Sequence, residues 1–443
     1  MKSDVQHKQH WAVGTYIDLM LAAIVMQIVF FATCFWVGWN GSDFYQENLE
    51  EIQYIIRMQL GLGWMMCIIS GLGFSLLPLI YDVPGFEKTV MRIYVGMNIF
   101  GQLLIMASIV FGDISLFYSL ATIGLTLLCT SLVCLAQPAM SIFKSKNTNS
   151  DKLGPFSYSV GLIMPVLGII TIGCWVARDS YSGALEISES LVMDFFIPLA
   201  VTTIIISYFN RRLDWEIINP KHTGKIFGIF TILLLLAIFG EPLANEGDIS
   251  TRIFAILSAL PYLFMFIVIN PKKIIIQIKQ GNPFNKMILA SLFWLPFIGI
   301  AAYAEIMNYV ETTDIMMSYY RWILIFGFSF QALWGFAAYL HEDHKRVSIH
   351  RRNSQWLILI AINLGTIVTV ISGASSWYSG EKLEQYPRIG IGFYALSYLL
   401  ILIYWIKDIF FSIDEWYRVP MYYDKYLANP ERGSGFDLEL SND

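Results

Sequence analysis

The sequence predicts an all-α polytopic membrane protein with twelve transmembrane helices and both termini on the cytoplasmic side. Three observations predict this fold class. The 443 residues are 56% hydrophobic and 14% charged, whereas soluble domains carry roughly 25% charged residues. Apolar stretches of about 20 residues, the length that spans bilayer hydrocarbon, recur along the whole chain. Lys and Arg residues fall mainly in alternate connections, as the positive-inside rule describes.

The apolar segments follow one another with short connections, which leaves no room for a large soluble domain. They begin near Gly14, Gln59, Met91, Ser115, Phe156, Glu189, Gly224, Thr251, Met287, Met316, Gln355 and Gly390. The first segment is longer than the core of a signal peptide and lacks a small-residue cleavage site, so we expect it to remain as a helix. We therefore expect one transmembrane domain over residues 1–413 and a cytoplasmic polar tail over residues 414–443.

The positions of the basic residues support the number of helices. When the N-terminus is counted as connection zero, the even-numbered connections and the two termini hold most of the 29 Lys and Arg residues. The exceptions are Arg57, Arg178, Arg252, Arg321, Lys382 and Arg388. Adding or removing one helix would destroy this alternation, so the charge pattern favours twelve spans with cytoplasmic termini.

The second and tenth segments share one sequence pattern. Arginine is followed after five residues by a glycine and an aromatic residue, and after six more by a second glycine. The matching residues are Arg57, Gly63, Trp64 and Gly71 in one segment, and Arg321, Gly327, Phe328 and Gly335, each 264 residues later, in the other. Glycines eight residues apart lie near one helix face, where another helix or a flat cofactor can approach the backbone. The pattern therefore leaves helix packing and a cofactor-facing wall as alternatives, and its constant offset predicts quasi-symmetry.

Three stretches carry a resemblance to a known family: residues 63–78, from Gly63-Trp64 to Pro78, residues 327–339 and residues 194–209. They resemble, in that order, the second, tenth and sixth helices of the catalytic subunit I of the haem–copper oxidase superfamily, most closely the C-type oxidases and the nitric oxide reductase large subunits. The resemblance implies twelve helices in three arcs of four with cytoplasmic termini. It also implies haem and copper held by histidines.

The histidine ligands of that family are missing from this chain. At the corresponding positions stand Ile56 and Met58 in the second segment, Ser190 in the sixth, and Tyr320 and Trp322 in the tenth. Copper in such a centre needs imidazole nitrogens, and haem iron needs an axial nitrogen or sulfur ligand. Met58 alone offers a thioether that could ligate haem, with a flexible apolar gap-filler as the alternative. We predict no metal site and leave the cofactor unknown, with haem as the one candidate.

Four charged residues are candidate functional residues, because charges inside a membrane helix are costly. Asp194 is a candidate for proton or ion handling or for a partner contact, with a structural hydrogen bond or interfacial exposure as the alternative. Asp18 lies nearer the membrane interface. Arg57 and Arg321 stand at the outer ends of the two matching segments, where a guanidinium suits an anionic ligand or a Glu partner. Snorkelling to the interface is their alternative.

The sequence thus predicts an integral protein of a prokaryotic cytoplasmic membrane, with lipid and other membrane subunits as partners and no nucleic acid. The expected function is that of an unconventional or accessory component of a respiratory or nitrogen-oxide membrane complex, and not of a terminal oxidase on its own. The alternative is a proton- or ion-coupled secondary transporter, since transporters also combine twelve spans with internal repeats. The 264-residue offset is an eight-helix step, which favours four-helix periodicity over two six-helix halves.

Overall fold

The computed structural model describes residues 2–39, 48–81, 86–111, 113–143, 153–181, 183–212, 217–240, 248–280, 283–309, 318–345, 353–379 and 385–405. Helices account for 93% of the described residues and no strand occurs among them, which confirms the all-α class. The predicted polar tail, residues 414–443, lies outside the described residues.

Twelve long helices, labelled α1 to α12, follow the order of the predicted segments within the described ranges. Seven are uninterrupted: α1 (Lys2–Trp39), α3 (Lys88–Phe111), α5 (Leu153–Ala177), α7 (Thr223–Gly240), α8 (Asp248–Val268), α11 (Asn353–Ser379) and α12 (Gln385–Trp405). Five contain a turn or a change of helical geometry: α2 (49–81), α4 (114–143), α6 (184–212), α9 (283–306) and α10 (319–345). A short helix, Pro271–Gln280, connects α8 to α9.

The outer surface of this bundle is apolar. Ten of the helices are long and apolar enough to cross a membrane, and the described apolar stretches of α5 and α12 are shorter, Ile163–Ala177 and Ile389–Ile403. Large aliphatic side chains point outward, and Ile249 and Ile267 of α8 are each 77% exposed. An apolar surface of this extent is unfavourable in water but is the normal surface of a helix in lipid. The chain is therefore a polytopic membrane protein.

Three helices, α2, α6 and α10, form the centre of the bundle and pack against one another. Their apolar windows are 94%, 100% and 89% buried, whereas those of α7 and α8 are 28% and 33% buried. Because the central helices are shielded from lipid on every side, they can carry polar residues that a lipid-facing helix could not.

Each central helix contains a π-helical stretch in its first half. These stretches are Gln59–Met65, Leu191–Phe196 and Ile323–Phe330. Their first residues are separated by the same 132-residue interval that separates Arg57 from Glu189 and Glu189 from Arg321. The offset between α2 and α10 therefore has a middle copy in α6. Since π-helical turns are rare and frequently lie at functional sites, three at matching positions mark this level of the bundle.

The structure corrects the predicted starts of four helices by five or more residues. α1 begins at Lys2 and not near Gly14, and α12 begins at Gln385 and not near Gly390. α2 begins at Leu49 and not near Gln59, and α6 begins at Ala184 and not near Glu189. The stretches added to α2 and α6 contain charged residues that lower the hydropathy, and one of them, Arg57, pairs with Glu189 in the interior. As a result, Arg57 lies within α2 and not at its end. α10 begins at Tyr319, and the predicted start near Met316 lies outside the described residues.

Candidate functional site

Four charged side chains meet in the first halves of α2, α6 and α10, toward the end of the bundle that the charge pattern predicts to face outward. They are Arg57 of α2, Glu189 and Asp194 of α6, and Arg321 of α10, and we call them the charged cluster. Asp194 stands within the π-helical stretch of α6. The 132-residue interval that relates the three π-helical stretches also relates Arg57, Glu189 and Arg321.

Glu189 bridges the two arginines. The Nη1 atom of Arg57 donates to Glu189 Oε2 at 2.8 Å, and the Nη1 atom of Arg321 donates to Glu189 Oε1. The Glu189 side chain is 4% exposed. One carboxylate thus joins all three central helices through hydrogen bonds between charged groups, which are the stronger kind.

Arg321 uses most of its remaining donors on α6. Its Nε atom lies 3.1 Å from both carboxylate oxygens of Asp194, and its Nη2 atom donates to Asp194 Oδ2 at 2.6 Å and to Ser190 Oγ at 3.0 Å. Arg57 also donates to Gln53 Oε1 at 3.0 Å. Two guanidinium groups therefore balance two carboxylates. These hydrogen bonds offset the desolvation that makes buried ion pairs costly.

The structure brings together three of the four charged residues singled out from the sequence. Asp194 and Arg321 are in direct contact, and Arg57 joins them through Glu189. Asp18 belongs to α1, and its side chain lies outside the described part of the structure. The sequence reasoning missed Glu189 as a site residue. Halving the 264-residue offset would have identified it, because the midpoint between Arg57 and Arg321 falls on it.

A cavity of about 280 Å³ adjoins the charged cluster, with walls from α6 to α10. Asp194 and Arg321 line it from one side and Glu305 of α9 from the other. The Glu305 carboxylate accepts the backbone N–H of Tyr320 at 3.2 Å and that of Tyr319 at 3.4 Å. A carboxylate at a helix N-terminus satisfies backbone donors that have no partner within the helix. Glu305 was also missed from the sequence.

Neighbouring helices occupy the space beside the predicted glycine and aromatic frame. The Gln102 side chain of α3 lies where a Cβ of Gly63 would be, and Gln102 Nε2 donates to the backbone carbonyl of Gln59 at 2.8 Å. Gly71 packs against Met20, and Gly327 against Thr366. Gly335, Trp64 and Phe328 are likewise buried. This geometry favours helix packing at these positions over a cofactor-facing wall.

Aromatic side chains fill the interval between α2 and α10. The Trp64 ring centroid lies 5.4 Å from that of Phe330 and 4.9 Å from that of Tyr398, and the last two lie 4.4 Å apart. A cavity of about 160 Å³ remains beside them, below the roughly 300 Å³ at which pockets for drug-sized ligands begin. The described residues here do not fit a haem.

The positions that would carry ligands in the haem–copper family are engaged otherwise. Trp322 stacks on Phe326 with centroids 5.0 Å apart, and Ser190 accepts a hydrogen bond from Arg321. Ile56 and Met58 are 2% and 0% exposed, and Met58 is not among the residues that line the two cavities described above. Trp322 lines the smaller cavity, but no imidazole stands at any of these positions.

No protein-family model matches the chain, and no curated protein matches it either. The chemistry of the site must therefore be inferred from its own residues.

Proposed function

We propose that the chain is a relative of haem–copper oxidase subunit I that binds no metal and acts as an accessory component of a respiratory or nitrogen-oxide membrane complex. In this proposal it has twelve spans in three arcs of four, with both termini in the cytoplasm of a prokaryotic cell. One observation carries the proposal. The three buried helices recur at a constant interval and hold matching π-helical stretches and charged residues.

The contacts between helices support a four-helix unit. If the helices are taken in fours, the second helix of each set is central, and the first packs against the third: α1 with α3, α5 with α7, and α9 with α11. Two six-helix halves would instead make α8 the equivalent of α2. That pairing is disfavoured, because the α8 window is 33% buried and the α2 window 94% buried.

An accessory role follows from what replaces the metal ligands. Aromatic packing fills the interval between α2 and α10, and ion pairs join α2, α6 and α10. Both arrangements strengthen the scaffold, and neither provides imidazole for copper or an axial ligand for haem iron. A scaffold of this kind can bind other membrane subunits through its lipid-embedded surface without catalysing a reaction itself.

Purification from the native membrane in a mild detergent tests this function. We expect the chain to migrate with other membrane subunits, and to carry neither haem absorbance nor copper after the complex is separated. Met58→Leu, a volume-conserving exchange that costs less than about 1.5 kcal/mol, should leave the spectrum of the complex unchanged. A Soret band and an α-band in the isolated chain that Met58→Leu abolishes would contradict the proposal.

A second candidate is a proton- or ion-coupled secondary transporter, and the cavity beside Asp194 and Glu305 favours it. Charged groups in the interior of a membrane protein are typical of ion pathways. Reconstitution into liposomes separates the two candidates. An accessory subunit gives no flux under an imposed ion gradient. A saturable flux that Glu305→Gln reduces, while the exposed control Glu186→Gln does not, would favour transport.

A further inference from the structure

The cavity lined by α6 to α10 contains a carboxylate, Glu305, that forms no ion pair within the described part of the chain. Arg57 and Arg321 together balance Glu189 and Asp194. Among the described residues, no basic side chain forms an ion pair with Glu305. When Glu305 is ionised, the group therefore carries one net negative charge. An uncompensated charge at such a site is costly, so the site favours uptake of a positive charge.

A second polar group faces the cavity independently of this carboxylate. Tyr262 of α8 is 3% exposed and lines the cavity. In the described ranges, its hydroxyl has no hydrogen-bond partner. Buried tyrosine hydroxyl groups normally find one, so this hydroxyl indicates that a ligand or water completes the site.

The volume and the lining residues of the cavity indicate which class of cation would fit it. A volume of about 280 Å³ would hold roughly nine water molecules at about 30 Å³ each, which is far more than a bare metal ion requires. Leu234, Ile238 and Phe254 form an apolar part of the wall. Apolar side chains suit the carbon atoms of a small organic cation, and aromatic rings attract such a cation through their faces.

We propose that this cavity binds a small organic ammonium ion, with the Glu305 carboxylate as its counter-charge and the Tyr262 hydroxyl as a hydrogen-bond acceptor. The alkyl group of the ion lies against Leu234 and Phe254. The binding does not depend on the accessory role proposed above, and it is expected whether or not the chain moves the ion across the membrane.

Thermal unfolding of the full chain in detergent micelles, at constant ionic strength, tests the site with ethylammonium as the probe. A ligand that binds only the folded state raises the unfolding midpoint as its concentration passes the Kd. We expect a saturable rise with ethylammonium, a smaller rise with tetramethylammonium, which has no N–H to donate, and no rise with sodium or phosphate.

Three variants assign the binding to named groups. Glu305→Gln should raise the apparent Kd roughly tenfold or more, because a charge-assisted hydrogen bond is lost. Tyr262→Phe should raise it several-fold, and Glu186→Gln, an exposed position on α6, should not change it. Equal stabilisation by sodium, or an unchanged Kd in Glu305→Gln, would overturn the proposal. If Glu305→Gln does not fold, Tyr262→Phe decides, because it removes a hydroxyl that has no partner among the described residues.

Discussion

Replacing Glu189 with glutamine tests whether the charged cluster holds the three central helices together. The exchange preserves size but removes the charge that faces Arg57 at 2.8 Å and also faces Arg321. Removing one partner of a buried ion pair costs about 3–5 kcal/mol. Arg321 keeps Asp194 at 2.6 Å and the glutamine oxygen still accepts one hydrogen bond. We therefore expect a loss of about 3 kcal/mol in the free energy of unfolding.

Arg57→Gln provides the comparison within the same cluster. The Arg57 side chain is 21% exposed and its removal leaves Glu189 paired with Arg321, so we expect a loss of about 1 kcal/mol. The double variant should lose less than the sum of the two single variants, because both remove the same contact. The assay is equilibrium unfolding in mixed micelles titrated with a denaturing detergent. A loss below about 1 kcal/mol for Glu189→Gln, close to the ±0.5 kcal/mol expected of the exposed control Glu186→Gln, would refute the reasoning.

Two further predictions concern helix packing and helix capping. Gly63→Ala should lower the free energy of unfolding by about 1–3 kcal/mol, because the Gln102 side chain occupies the position of the added methyl group. Gly96→Ala on α3 has nothing within 4 Å and should be neutral or stabilising by up to about 1 kcal/mol in the same assay. Hydrogen bonds from the Ser115 hydroxyl and the backbone N–H of Leu116 hold the pKa of Asp113 below its ordinary value. The capping contribution of Asp113 is therefore present above the unfolded-state pKa of about 3.9 and lost as the pH falls through the lower folded-state pKa. Hydrogen exchange at the first amides of α4 should accelerate over that range, and Asp113→Ala should abolish the pH dependence.

The all-helical, polytopic character could be predicted from the sequence because hydropathy acts on whole segments. The repeat between α2 and α10 could also be predicted, since glycines and arginines mark both copies. Its middle copy could not be recognised by the same pattern, because α6 carries Glu189 in place of arginine and Phe195 in place of glycine. Because the matching position carries glutamate in one copy and arginine in the other two, comparison of residue types does not reveal the repeat. The same difference in charge allows the three copies to form ion pairs.

The start of α2 and the π-helical stretches lay beyond sequence reasoning for different reasons. Hydropathy places a helix end where charges begin, but Arg57 continues α2 because its partner arrives from a helix 132 residues away. A π-helical turn depends on a small local balance of backbone hydrogen bonds and packing, and no residue type marks it. The cavity beside Glu305 likewise depends on how five successive helices, α6 to α10, pack together, which hydropathy does not describe.

The charge at the three matching positions alternates between positive and negative: Arg57, Glu189 and Arg321. This alternation limits which parts of the chain could fold without the others. Three central helices that each carried arginine at this position would confront one another with three positive charges in a medium that excludes water. One of these helices expressed without the other two would lose the ion pairs that Glu189 forms with Arg57 and Arg321. The charges balance only because α6 supplies both Glu189 and Asp194 to the two arginines, so the presence of all three helices in one polypeptide is a condition for burying them. The bundle is therefore indivisible for an electrostatic reason, in addition to the packing of its helices.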